Sequence, residues 1–104
     1  MKEKKDKSAE EDVSLMLAAK AGELDAFSSI VKKHQNALMN FFRRCGVYSD
    51  VEDIAQETFL KLYRVRSTYE AKAKFTTFLY LLARQVLIDY IRKQERRANV
   101  LEKY

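Results

Sequence analysis

Apolar positions recur at three-and-four spacing along several stretches of this chain, and that spacing predicts amphipathic helices. The most regular stretch runs from Ser49 to Tyr63. Val51, Ile54, Ala55, Thr58, Phe59, Leu62 and Tyr63 share one face. The other face carries Asp53, Gln56, Glu57 and an exposed Leu60. Ser49 followed three residues later by Glu52 has the form of a capping box. Asp50, Glu52 and Asp53 place carboxylates where the positive end of the helix dipole favours them.

The rest of the chain divides around this element. Met1 to Asp12 is a mixed-charge segment with almost nothing to bury, which predicts a flexible tail. Val13 to Ala21 reads as a short helix with Leu15, Met16, Ala18 and Ala19 on its apolar side. Gly22 closes it. A second helix spans about Leu24 to Cys45, with Phe27, Ile30, Val31, His34, Leu38, Phe41, Phe42 and Cys45 on its stripe. Gly46 ends that one. The organising helix fades near Arg66, and Val65 to Lys74 is the longest irregular stretch, with "EAKAK" able to form a turn of helix. The last helix is expected from about Thr76, with Thr76 or Thr77 as its cap, to Arg97. Phe78, Leu79, Leu82, Val86 and Tyr90 form its stripe, with Ala83 a point of close approach. Leu81, Leu87, Ile88 and Ile91 widen that stripe, so this helix is expected to be central. Phe78 and Tyr80 do not share a face, so one of them should be the more exposed.

Composition narrows the class. The chain has 104 residues, 47% of them hydrophobic, two glycines and no proline. That favours one small all-α bundle of about four helices over a turn-rich β fold. Lys and Arg outnumber Asp and Glu by 20 to 15, a net charge of +5, which suits a polyanionic partner without requiring one. The single cysteine, Cys45, excludes an internal disulfide and fits the reducing cytoplasm. No signal peptide is visible, and the most apolar run, Phe78 to Ile91, is too short and too polar to cross a membrane.

An enzyme finds no support. One histidine and one cysteine supply no metal-ligand set, and there is no glycine-rich phosphate loop. No cofactor is expected. His34 reads as a satisfied histidine at the edge of the core and Cys45 as a small core residue. Nucleic acid is the better candidate ligand. From Tyr69 to Arg97 aromatic and basic residues interleave: Tyr69, Phe75, Phe78 and Tyr80 with Lys72, Lys74 and Arg84. Between Arg84 and Arg97 five basic residues face two acidic ones. Aromatic faces stack on unpaired bases while Lys and Arg hold phosphates. The competing explanation for Arg92 to Arg97 is complementation of the helix dipole at a C-terminus.

The segment "DVEDIAQETFLKLY" resembles the core-polymerase-binding helix of bacterial sigma factors of the extracytoplasmic-function (ECF) type. Asp50, Asp53, Gln56, Glu57, Phe59 and Tyr63 match that family's recurring pattern. Periodicity explains Phe59 but not the pair Gln56-Glu57. "KFTTFLYLLARQVLIDYIRKQERR" is similar to the next two conserved parts of the same region, through Phe75, Leu79, Tyr80, Ala83, Arg84, Asp89 and Arg92. Phe78 stands where the family has tryptophan and Gln85 where it has asparagine. Upstream, Ala21, Gly22, Glu23, Ala26 and Phe27 resemble the opening of the region, so the likeness covers about Val13 to Arg97.

The resemblance implies a conserved-region-2 helical bundle over residues 13–97. It implies RNA polymerase core as partner, bound at the clamp coiled coil of the largest subunit through Asp50, Asp53, Gln56, Glu57 and Leu60. It implies promoter DNA at the single-stranded minus-ten element, met by Tyr69, Lys72, Lys74, Phe75, Thr77, Tyr80, Arg84, Gln85, Arg92, Lys93, Arg96 and Arg97. Tyr69 to Phe75 would be the base-capturing loop. An anti-sigma factor is a further implied partner, and no membrane is. Residues 98–104 are expected to start a linker toward a C-terminal domain that this chain does not contain. A helical adaptor domain without nucleic-acid function is the alternative.

Overall fold

The computed structural model describes residues 2–103 of the chain, and side chains from 7 to 102. Four α-helices and one short 3-10 turn make up the described residues, and no strand occurs among them: α1 (Lys2–Lys20), α2 (Leu24–Arg44), α3 (Val51–Arg64), the turn Arg66–Thr68, and α4 (Phe75–Lys103). This is the all-α bundle that the periodicity predicts. α1 packs on α2, α2 on α3 and α3 on α4, and α1 also reaches α4 and the turn.

Two glycines set the first two corners. Gly22 has φ of 105° and Gly46 of 92°, left-handed conformations that glycine adopts without a Cβ penalty. At each, the glycine N–H donates to the carbonyl three residues back, Ala19 or Arg43, at 3.0 Å. The next N–H donates five residues back, from Glu23 to Ala18 and from Val47 to Phe42, each at 3.0 Å. This paired pattern satisfies carbonyls that the helix end leaves free. Val47, the residue after the second corner, is buried, which ties that turn to the core.

The core runs through all four helices. Met16, Ile30, Leu38, Phe42, Leu62 and Leu79 are fully buried. His34 is buried on the α2 stripe as expected, and its Nε2 lies 2.9 Å from Asp12 Oδ1. Asp12 is 4% exposed and also meets Lys33 Nζ at 2.8 Å. The boundary expected at Asp12 therefore does not mark where structure begins. Residues 7–12 lie on α1, and the first helix neither starts at Val13 nor is short. The cause is a long-range charge pair between α1 and α2 that no local pattern encodes. The expected looseness of residues 1–6 concerns side chains outside the described ones.

Other expectations need correction. Helix α3 starts at Val51 with Asp50 as its N-cap residue, and no side-chain cap bond forms, so the Ser49–Glu52 capping box is not made. Asp50 Oδ2 instead accepts from the Tyr90 hydroxyl at 2.8 Å. Neither Thr76 nor Thr77 caps α4, because the helix already starts at Phe75. It continues past Arg97 to Lys103, so residues 98–103, expected to start a linker, are helical. The short turn in the irregular stretch forms at Arg66–Thr68, not in "EAKAK". Leu81, Ile88 and Ile91 are 55%, 48% and 42% exposed. At about 100° per residue they point more than a quarter turn away from the mean direction of Leu79, Leu82, Ala83 and Val86, so α4 is buried on one side only. Phe78 and Tyr80 are both half-buried, each flanking the core from one side. Cys45 is exposed, because the chain turns at Gly46 and carries it outward.

Candidate nucleic-acid and protein interfaces

Helix α3 presents the two faces its sequence predicts. Val51, Ile54, Ala55, Thr58, Phe59 and Leu62 are buried. Thr58 is tolerated there because its hydroxyl donates to the Ile54 carbonyl at 2.7 Å. Asp53, Gln56, Glu57 and Leu60 are exposed and fall on one side of the helix. Asp50 stands apart from them. It is half-buried and holds Tyr90, whose phenol is raised above its ordinary pKa by that hydrogen bond first and then by burial. Asp50 thus joins α3 to α4 rather than presenting a free carboxylate. A small cavity of about 240 Å³ beside the strip brings Gln35 and Met39 of α2 next to Gln56. Sequence reading missed these two. Their signal was only that they occupy the outward edge of the α2 stripe.

The loop separates into a fixed half and a free half. Arg66 Nη1 donates to the Tyr63 carbonyl at 2.8 Å, and its guanidinium lies 4.0 Å from the centre of the Tyr63 ring. Thr68 Oγ1 donates to the Val65 carbonyl at 2.7 Å. Lys20 Nζ, at the end of α1, donates to the Tyr69 carbonyl at 2.6 Å. Glu70 to Lys74 are exposed. Lys72 and Glu70 make an ion pair at 3.1 Å; a pair this open to water contributes little to stability.

Tyr69 and Phe75 do not present their rings to a ligand. Each is 1% exposed. Tyr69 packs edge-on against Phe78 at 5.3 Å and Phe75 at 6.2 Å between ring centres, and Phe75 packs on His34 at 5.3 Å. These two of the four aromatics that sequence reading offered for stacking instead anchor the loop to the bundle. Tyr80 is half-buried against Phe41, at 5.2 Å, with part of its ring open.

The Tyr69 hydroxyl has no hydrogen-bond partner among the described residues. Burial, and then the nearby Asp12 carboxylate, hold its pKa above the ordinary value. A buried unpaired hydroxyl costs about 1–3 kcal/mol. Tyr69→Phe is therefore expected to stabilise the fold by about 1 kcal/mol, read as a higher denaturant midpoint with unchanged slope. A lower midpoint would mean that the hydroxyl is engaged.

The remaining basic candidates are exposed: Lys74, Arg84, Arg92, Lys93, Arg96 and Arg97, with Thr77 and Gln85. The structure does not gather them at one place. Lys72 and Lys74 lie with Glu10 and Ser14 of α1 around a cavity of about 580 Å³ under the loop. Arg92, Lys93 and Arg96 line a separate groove of about 510 Å³ between α3 and α4. Lys61 and Arg64 of α3 join them there, with Glu57 and Asp89 also on the walls. Sequence reading missed Lys61 and Arg64. Their positions four and seven residues after Glu57, on one side of α3, were the available signal.

The family model of sigma-70 region 2 matches residues 30–97. Among curated proteins the chain is similar to the ECF RNA polymerase sigma factor SigW of Bacillus subtilis, with 36% identity over 77 residues, 73% of this chain and 41% of that protein. It is also similar to the ECF RNA polymerase sigma-E factor of Haemophilus influenzae, with 30% identity over 86 residues, 83% of this chain and 46% of that protein. The chain thus spans less than half the length of these relatives. Among solved structures, an NMR structure of an engineered region 2 of sigmaE in complex with GTAAAA superposes with a TM-score of 0.77. The two are 33% identical, over 83% of this chain and 90% of that one.

Proposed function

The chain belongs to the sigma-70 region 2 family, and we propose that it acts in transcription initiation, docking on core RNA polymerase through α3 and holding the opened minus-ten promoter element with the loop and α4. The observation that carries this reading is that α3 exposes an acidic strip while the exposed cations lie along the loop and α4, with Glu57 bordering both. Asp53, Gln56, Glu57 and Leu60 form a compact strip of acceptors around one apolar contact. Carboxylates and an amide in that arrangement suit an Arg-rich partner through charge-assisted hydrogen bonds. The clamp coiled coil of the polymerase largest subunit is the partner this family membership suggests. Asp50 supports the strip indirectly, through the Tyr90 bond.

Along the loop and α4, Lys74, Thr77, Arg84, Gln85, Arg92, Lys93, Arg96 and Arg97 meet DNA at more than one place, with the open part of Tyr80 as the one aromatic contact. Lys72 assists from the loop. Tyr69 and Phe75 hold the loop in place, and Glu70 to Lys74 are left free to close over an unstacked base. The relative whose structure contains GTAAAA supports this placement. An anti-sigma factor would act by covering either surface. Both partners place the work in the cytoplasm, and no described helix is long and apolar enough to cross a membrane.

The test is binding to core polymerase by the wild-type chain and by the Gln56→Ala, Glu57→Lys double variant, with helix content compared. The variant is expected to bind at least roughly tenfold more weakly, since reversing an interfacial charge leaves its partner unpaired. Equal binding by two folded proteins would remove α3 as the polymerase surface.

A further inference from the structure

We propose that the groove between α3 and α4 is a phosphate-binding cradle, in which Lys61 and Arg64 of α3 hold the DNA backbone together with Arg92, Lys93 and Arg96 of α4. The inference rests on the DNA-binding reading above and extends it to a helix otherwise assigned to polymerase. Three observations carry it.

The first is convergence. Five cations from two helices line one concave groove, against two carboxylates, Glu57 and Asp89, a formal excess of three positive charges. Concave surfaces of one sign focus the field and concentrate counter-ions. Cations on each helix stand about one turn apart, roughly 4.5 Å along the axis from Lys61 to Arg64 and roughly 6 Å from Arg92 to Arg96. That spacing offers successive contacts to a chain of phosphates. Three of the five are arginines, whose guanidinium fork matches a phosphate's oxygens.

The second is that the charges are not spent within the protein. Among the described residues the ion pairs are Lys33 with Glu11 and Asp12, His34 with Asp12, and Lys72 with Glu70. None involves a groove cation, although Glu57 and Asp89 share the groove walls. Like charges held together without neutralisation repel, so the bundle gains nothing from this cluster by itself.

The third is that the ordinary explanation fails on geometry. The helix dipole acts within the last turn. Because α4 continues to Lys103, Arg92, Lys93 and Arg96 lie well before its end. Nor do they cover core: from Ile91 to Glu102 only Gln94 is even half-buried. A protein partner is the less suitable occupant, since Val65 and Val86 are the only apolar walls and protein interfaces centre on buried aromatic or aliphatic anchors.

The experiment measures binding of the full chain to single-stranded and duplex oligonucleotides carrying a minus-ten-like sequence, as a function of salt. The proteins compared are wild type, Lys61→Gln/Arg64→Gln, Arg92→Gln/Arg96→Gln, and Lys32→Gln as an exposed-charge control on α2. Each lost phosphate contact lowers the slope of log K against log salt by about 0.7 for single strands and about 0.9 for duplex. The Lys61/Arg64 variant is expected to lose about 1.5 in slope and to keep wild-type affinity for core polymerase. Lys32→Gln should leave the slope unchanged. A wild-type slope in the Lys61/Arg64 variant, with loss in the Arg92/Arg96 variant, overturns the cradle while leaving DNA binding by α4 intact. Wild-type slopes in both variants overturn the DNA reading itself. Loss of polymerase binding by the Lys61/Arg64 variant, with its DNA slope unchanged, would assign the groove to a protein and also overturn the proposal.

Discussion

Phe42→Ala is expected to destabilise the bundle by about 3–5 kcal/mol, the range for removing a fully buried aromatic ring. Phe42 has no exposed surface. Its ring meets Phe41 edge-on at 5.4 Å, and its carbonyl accepts the Val47 N–H that closes the corner into α3. The substitution therefore opens a cavity where α2 hands the chain to the helix that carries the acidic strip. Domains of this size have about 5–15 kcal/mol of stability in total, so the variant would be near the edge of folding. The check is a denaturant titration beside Phe41→Ala. Phe41 is half-buried, so its replacement should cost clearly less. Equal losses would mean that the two rings share one collapsible site. A loss at Phe42 below about 1.5 kcal/mol would mean that the neighbours close over the gap.

The parts of this architecture that are legible in the sequence are those set by local rules. Helical period and two glycines place α2 and the corners on either side of it, because both signals act within a few residues. The two faces of α3 follow from the same period, and so does the exposure of Gln56, Glu57 and Leu60. What sequence reading misplaces depends on contacts across the chain. Tyr69 sits in a stretch without periodicity, where an aromatic next to lysines looks like a base platform. Its burial depends on Phe75 and Phe78, six and nine residues later in α4, and on Lys20 of α1, which reaches its carbonyl across the fold. Leu81, Ile88 and Ile91 look like core by composition, but among the described residues three other helices are present, and they cover one side of α4. The groove escapes notice because Lys61 and Arg64 gain meaning only when Arg92 and Arg96 lie opposite them.

Asp12 is the sharpest case, and Asp12→Ala is expected to cost about 2–3 kcal/mol. Removing one member of a buried charged group commonly costs about 3–5 kcal/mol, because the partner left behind is desolvated and unpaired. The figure is set lower here because the Lys33 side chain is 26% exposed and retains Glu11 at 3.3 Å. His34 has no such second partner among the hydrogen bonds of the described residues, and its ring is held between Asp12 and Phe75. Most of the loss should therefore run through His34. Asp12→Asn keeps an oxygen that accepts from the imidazole and should cost less than Asp12→Ala. In a double-mutant cycle, Asp12→Ala and His34→Ala should couple by about 0.5–3 kcal/mol, measured as shifts of urea midpoint. The same contact decides what happens when residues 1–12 are deleted. A solvated tail would leave the midpoint where it was. A segment that carries Asp12 into the core should lower it by at least as much as Asp12→Ala does. Ala9 and Glu10 also wall the cavity under Lys72 and Lys74, so the deletion should loosen the loop proposed to meet the unstacked base. Unchanged midpoints for both Asp12→Ala and the deletion would detach α1's first turns from the bundle, and with them the wall behind that loop.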